Sequence, residues 1–148
     1  ELAGPTSALA APVAPETSPG CRARLGDRAC RVDMALRRRV VRVSAVVGEG
    51  ASISGGGLGA GLYVFGELRW LEGANCGMTQ GIVAHGGSMV TLADQPAFAV
   101  AAGTRALLTE GCDKQITTCS ARFGNAANFR GEPYLPGMDL LSRYPGAR

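Results

Sequence analysis

The stretch Leu62–Ala93, LYVFGELRWLEGANCGMTQGIVAHGGSMVTLA, decides the fold class. From Leu62 to Trp70 the residues alternate: Leu62, Val64, Leu68 and Trp70 face one way, Glu67 and Arg69 the other. That period of two is the signature of a half-buried strand. LEGANCG then reads as a turn, and Met78–His85 as the returning strand. Gly86-Gly87 is a hairpin dipeptide, after which SMVTLA forms the next strand. Upstream, RRVVRVSAVV (38–47) is rich in valine with charges on its solvent side and reads as another strand. Downstream, DQPAFAVAAG (94–103) carries Pro96 and reads as a connection, and TRALLTE (104–110) as a closing strand. Between the first two strands lies GEGASISGGGLGAG (48–61), which reads as a flexible hairpin loop. No Walker lysine follows it, and a strand rather than a helix comes next, so it is not a phosphate-cradling or dinucleotide loop.

About five short strands with tight turns and little helix predict a mainly β protein, a small antiparallel β-barrel or roll with cysteine-bearing flanks and an extended C-terminal tail. MALRR (34–38) adds at most a helical turn, and residues 113–122 one or two turns. The totals agree with one domain: 148 residues, 22 glycines and 5% aromatics imply many turns and a modest core, the kind that is often stapled. Net charge is +3, nearly all from arginine, since Lys114 is the sole lysine. Without interleaved aromatics that balance does not point to DNA or RNA. No window approaches the length of apolar sequence that spans a bilayer. The first twenty residues are Pro- and Ala-rich without a basic n-region, so 1–20 reads as a linker from an absent upstream domain, and 21–148 as the domain itself.

Four of the five cysteines fall in two pairs, Cys21 and Cys30 in GCRARLGDRAC and Cys112 and Cys119 in GCDKQITTC. A barrel whose first and last strands lie side by side would bring both pairs to one place. Four thiolates around iron or zinc leave net negative charge, and Arg22, Arg24, Arg28, Arg31, Lys114 and Arg122 are near enough in sequence to offset it. The long, irregular spacing favours an iron–sulfur cluster over zinc, whose structural sites use C-x2-C to C-x4-C pairs. Two disulfides, or free thiols throughout, are the alternatives. Cys76 is then the odd thiol. Catalysis has little to work with: His85 is the only histidine, a Cys76–His85 pair lacks a helix start to activate the thiol, and Asp27, Asp33, Asp94, Asp113 and Asp139 are scattered.

Three segments carry a family resemblance: CRARLGDRACRVDM, GELRWLEGANCGM and above all GCDKQITTCSARFGNAANFRGEPYLPGMDLL. They resemble the C-terminal domain of baseplate-hub proteins from siphophage-like tails and alphaproteobacterial gene transfer agents, and are similar to the lambda-type tail tip protein L. The resemblance spans residues 20 to about 142, and its closing motif, C-D-K-x4-C-x-x-R-F-G-N-x-x-N-F-R-G, is long and distinctive. It implies a non-catalytic structural component of the virion tail tip or gene transfer agent particle, assembled in the bacterial cytoplasm. It also implies a [4Fe–4S] cluster, whose ligands carry over as Cys21, Cys30, Cys112 and Cys119, and it makes 21–148 the hub C-terminal domain. Cys76 stands where the family has a small residue. Implied partners are other tail proteins, namely a distal tail protein and a central fibre or host-specificity protein, in a homotrimeric hub, with no nucleic acid and no membrane span. The competing classes are a disulfide-stapled adhesion or carbohydrate-binding module presenting Tyr134 and Tyr144, and a Cys76–His85 hydrolase.

Overall fold

The computed structural model describes residues 17–54 and 58–134. Most of the expected linker, Asp139, Tyr144 and the tail beyond Tyr134 lie outside them. Six antiparallel strands close into a barrel: β1 (Arg38–Val47), β2 (Gly50–Ser54), β3 (Glu67–Trp70), β4 (Thr79–Gly86), β5 (Met89–Leu92) and β6 (Thr104–Thr109). Their order around the barrel is β1-β2-β5-β4-β3-β6. The first and last strands pair from Arg38↔Thr109 to Val43↔Thr104, which closes the sheet and removes its edges. Register shifts between Val43 and Ala45, and between Ile82 and Ala84, add the local twist a barrel this small needs.

Alternate residues of each strand fill the interior. Val41, Val43, Ala51, Ile53, Leu68, Trp70, Ile82, Val90, Leu92, Ala106 and Leu108 form one buried cluster. Trp70 fits there because its indole Nε1 donates to Gln80 Oε1 at 2.8 Å.

Two sequence readings are corrected. The alternation from Leu62 to Trp70 is a strand only from Glu67 onward. Gly61 (φ 73°) and Phe65 (φ 63°) leave the extended region, so residues 60–65 coil into turns and it is Tyr63, not Leu62 or Val64, that is buried. The glycine-rich stretch is not all loop either. Gly50–Ser54 is strand β2, paired to both β1 and β5, with Ala51 and Ile53 inward. Apart from Ile53 its side chains are small, so the alternation is short and faint in the sequence.

One short helix, α1 (Ile116–Phe123), follows β6, and 3-10 turns occupy Ala35–Arg37 and Ala126–Asn128. Because Arg38 is opposite Thr109, the segments before β1 and after β6 leave the same end of the barrel.

Candidate functional site

Those two segments carry the four paired cysteines. In the first, Asp27 organises the chain. Its Oδ1 accepts the backbone N–H of Ala29 (2.9 Å) and Cys30 (2.7 Å), and its Oδ2 that of Arg24 (2.9 Å). This is how an Asx turn holds a loop without secondary structure. The Cys30 and Arg24 bonds also hold the Asp27 carboxyl below its usual range. Gly26 is required at its position: its φ is +77°, and a Cβ there would lie 2.2 Å from Met34 Cγ.

In the second segment, Asp113 begins α1, accepting the Gln115 N–H (3.0 Å) and the Thr118 hydroxyl (2.7 Å). Cys119 is buried on that helix. Gly124 ends it in the left-handed conformation, its N–H bonded to Ser120 O and that of Asn125 to Cys119 O, both at 3.0 Å. The segments are tied directly: the Cys21 N–H donates to Lys114 O at 2.9 Å, and Lys114 Nζ donates to Ala23 O. Arg31 and Lys114, non-glycine residues at φ 62° and 64°, turn the chain just past Cys30 and Cys112. Left-handed backbone of this sort persists only where the surroundings enforce it.

Cys21, Cys30, Cys112 and Cys119 thereby line one recess, walled by Leu25, Val32, Phe123 and Phe129. All five cysteines carry free thiols, and neither pair is joined as a disulfide. Burial pushes the Cys119 thiol up, and the nearness of Cys21, Cys112 and Cys30 pushes it further. Among the described residues, no group of three or more His, Cys, Asp or Glu side chains is arranged to hold a single metal ion.

Of the positive charge expected around the sulfurs, Lys114 lines the recess, while Arg122 and Arg22 are paired with carboxylates. Arg122 donates to Glu110 Oε2 (2.7 Å) and to Leu62 O (2.7 Å), and Arg37 reaches the same carboxylate at 3.2 Å. Glu110 is buried, and a buried carboxylate demands such partners. This junction joins the end of β6, the helix and the approach to β1. Arg22 is bonded to both oxygens of Glu132 (2.6 and 2.7 Å). What reaches the sulfurs instead is amide N–H: that of Arg130 at 3.4 Å from Cys21 Sγ, and Asn125 Nδ2 at 3.7 Å from Cys30 Sγ. Sequence reasoning did not single out Asn125, Asn128, Glu110 or Glu132. The first two lie in the quoted closing motif, which was their one available signal.

Around Glu132 the segment that carries Cys21 zips to the one that follows α1. Arg22 N–H donates to Arg130 O (3.0 Å), Glu132 N–H to Ser18 O (2.8 Å), and Ser18 N–H to Glu132 Oε2 (2.9 Å). The Arg22 guanidinium, and then the Ser18 N–H, hold the Glu132 carboxyl down at about 2, from an ordinary 4.5. A carboxyl depressed on folding adds stability that is complete above its unfolded value and lost as pH falls through the folded one. The stability gap between this chain and Glu132→Gln should therefore stay constant above about pH 5 and shrink between pH 4.5 and 2. Denaturant midpoints across that range check it; a gap that ignores pH would mean the ion pair contributes nothing.

Cys76 and His85 are not brought together. Cys76 is exposed in the turn between β3 and β4, at the far end of the barrel from the four sulfurs, with its thiol bonded to Leu71 O (3.2 Å). His85 is near the other end of β4, about 20 Å along the strand at ~3.3 Å per residue. Its Nε2 is 3.2 Å from Gly87 O, and its ring meets Tyr63 edge-on at 5.2 Å.

The model of the family "Phage conserved hypothetical protein BR0599" matches residues 61–139. That stretch includes Cys112 and Cys119 but not Cys21 and Cys30. A chain of the solved structure "Virion of native gene transfer agent (GTA) particle" is similar over 98% of this chain, with a TM-score of 0.83 and 29% identity. The present chain spans 53% of that chain's length. No curated protein matches.

Proposed function

The chain belongs to the phage conserved hypothetical protein BR0599 family, and from that membership we propose that it is a non-catalytic structural domain of a phage or gene transfer agent virion. More finely, it serves in the baseplate hub at the tail tip and holds a [4Fe–4S] cluster on Cys21, Cys30, Cys112 and Cys119. Its partners are then the neighbouring tail proteins, the distal tail protein and the central fibre protein, in a homotrimeric hub.

One observation carries the cluster reading: two flanks separated by the whole barrel converge so that four free thiols, and no carboxylate, line one recess. The residues fit such a group in two respects. Phe123, Phe129, Leu25 and Val32 exclude water, which protects soft thiolate ligation. Amide N–H groups face Cys21 and Cys30 and offset thiolate charge without adding a titratable cation. When bound, the cluster supplies four metal–thiolate bonds that cross-link the flanks and link folding to metal loading. Apart from it, the chain's own residues set the frame: Asp27 presents Cys30, Asp113 starts the helix carrying Cys119, and Glu110 locks that helix to β6. Separation of Cys76 from His85 supports the non-catalytic reading.

The test is the visible spectrum of protein purified without oxygen, with iron, acid-labile sulfide and free thiols assayed on the same sample. Broad absorbance bleached by dithionite, with iron and sulfide in equal amounts, is the expected result. A colourless protein holding zinc would overturn the cluster, and a colourless metal-free one with a single free thiol would favour a disulfide-stapled surface module.

A further inference from the structure

One residue of the recess touches both cysteine flanks. The backbone N–H of Asn125 is bonded to Cys119 O at 3.0 Å. Its side-chain Nδ2 donates to Cys30 O at 2.6 Å and lies 3.7 Å from Cys30 Sγ. The orientation of that amide is set from behind, because Asn128 Nδ2 donates to Asn125 Oδ1 at 2.7 Å and thereby assigns which end faces the sulfur. A few residues on, the Arg130 N–H faces Cys21 Sγ, while Arg130 O is held by Arg22 N–H. The segment after α1 therefore directs N–H dipoles at both sulfurs of the first pair.

A neutral N–H near a thiolate does something a nearby arginine does not. It leaves the net charge of the site unchanged and acts through a fixed dipole whose benefit grows with the negative charge on sulfur. One-electron reduction of a thiolate-bound cluster adds one negative charge, part of which resides on the ligand sulfurs. A dipole aimed at such a sulfur stabilises the reduced state more than the oxidised one and raises the potential.

Building on the cluster reading above, we propose that Asn125, aimed by Asn128, is a positioning residue that raises the reduction potential of the group bound at Cys30, with the Arg130 amide acting likewise at Cys21. The recess is then a site of tuned potential and not only a staple. A purely mechanical role for Asn125, fastening the Cys30 carbonyl, would change thermal stability and leave the potential where it was.

Midpoint potentials of the iron-loaded full chain, titrated optically with dithionite as the one-electron donor, separate these roles. Asn125→Ala should shift the midpoint negative, by about tenfold in the equilibrium constant for reduction, which is about 59 mV for a one-electron couple. Asn128→Ala, which removes the bond that aims Asn125, should shift it the same way by less. Unchanged midpoints in both variants at equal iron content would overturn the proposal, even if melting temperatures fell. Where Asn125→Ala loses its iron, Asn128→Ala decides alone: a negative shift supports the role, and none refutes it. Absence of iron from the unsubstituted chain would instead remove the cluster reading, and this inference with it.

Discussion

On the cluster reading, Cys112→Ser should abolish iron binding and loosen the two cysteine flanks at one end of the barrel. Cys112 lies three residues past the end of β6 and lines the recess beside Cys21, Cys30 and Cys119, so no neighbouring thiol can replace it. A serine hydroxyl is a hard, protonated ligand at neutral pH and does not take the place of a soft thiolate. The loss is also a folding loss, because binding energy at such a site is stability. Removing a native disulfide costs about 2–5 kcal/mol, and losing a cluster cross-link between the same flanks should be of that order. At about 2–4 °C per kcal/mol for a domain of this size, the melting temperature should fall by on the order of 10 °C. Cys119→Ser should do the same, since Cys119 is buried in the same wall. Cys76→Ser is the control: its exposed thiol has one bond, to Leu71 O, at the other end of the barrel. Iron per chain and thermal melts of the three variants settle the assignment. Retention of iron by Cys112→Ser, with loss in Cys76→Ser, would mean the wrong cysteines had been grouped.

Strong side chains made some of this legible in the sequence. Valines made β1 readable over its full length, Arg38–Val47, and the pairing of first and last strands follows from closing a barrel. That closure is what joins the cysteine pairs, so the site's location was within reach of the residues alone. Its surroundings were not. Asn125 meets Cys30 across 95 residues of sequence through an amide and a carbonyl, a contact that leaves no periodicity or composition to read. Arginines near the cysteines in sequence suggested a cationic shell, yet Arg22 and Arg122 bond to Glu132 and Glu110. Those carboxylates come from other parts of the chain, and a guanidinium at the edge of an apolar wall is held by whichever acid the fold delivers. Short β2 was hidden for a different reason: Ala51 and Ile53 do alternate with Ser52 and Ser54, but over too few residues to stand out from the glycine-rich stretch around them.

Glycine also hides the tightest glycine contact among the described residues, and Gly111→Ala should be the most damaging methyl addition at any of these glycines. A Cβ on Gly111 would sit 1.9 Å from Val64 O, 2.3 Å from Gly66 N and 2.4 Å from Phe65 C; one on Gly66 would sit 2.1 Å from Thr109 O. All are backbone atoms, so no side chain can rotate away. Nor can the crossing segment retreat. Phe65 N–H is bonded to Ile82 O and Ile82 N–H to Gly66 O, both at 2.9 Å, which fixes it to β4. Ordinary overpacking by a methyl group costs about 1–3 kcal/mol. A clash between two pinned backbones belongs to the rare class above about 4 kcal/mol. The displaced residue is the neighbour of Cys112, so iron retention should fall along with stability, a pairing that a remote core defect would not produce. Gly86→Ala provides the comparison. A Cβ there meets nothing within 4 Å, and its cost should stay within about 0.5 kcal/mol with iron unchanged. Denaturant unfolding and iron content of the two variants test the crossing directly. Wild-type stability in Gly111→Ala would show that β6 and the turn before β3 do not meet this closely, and that Cys112 is not held in place by their contact.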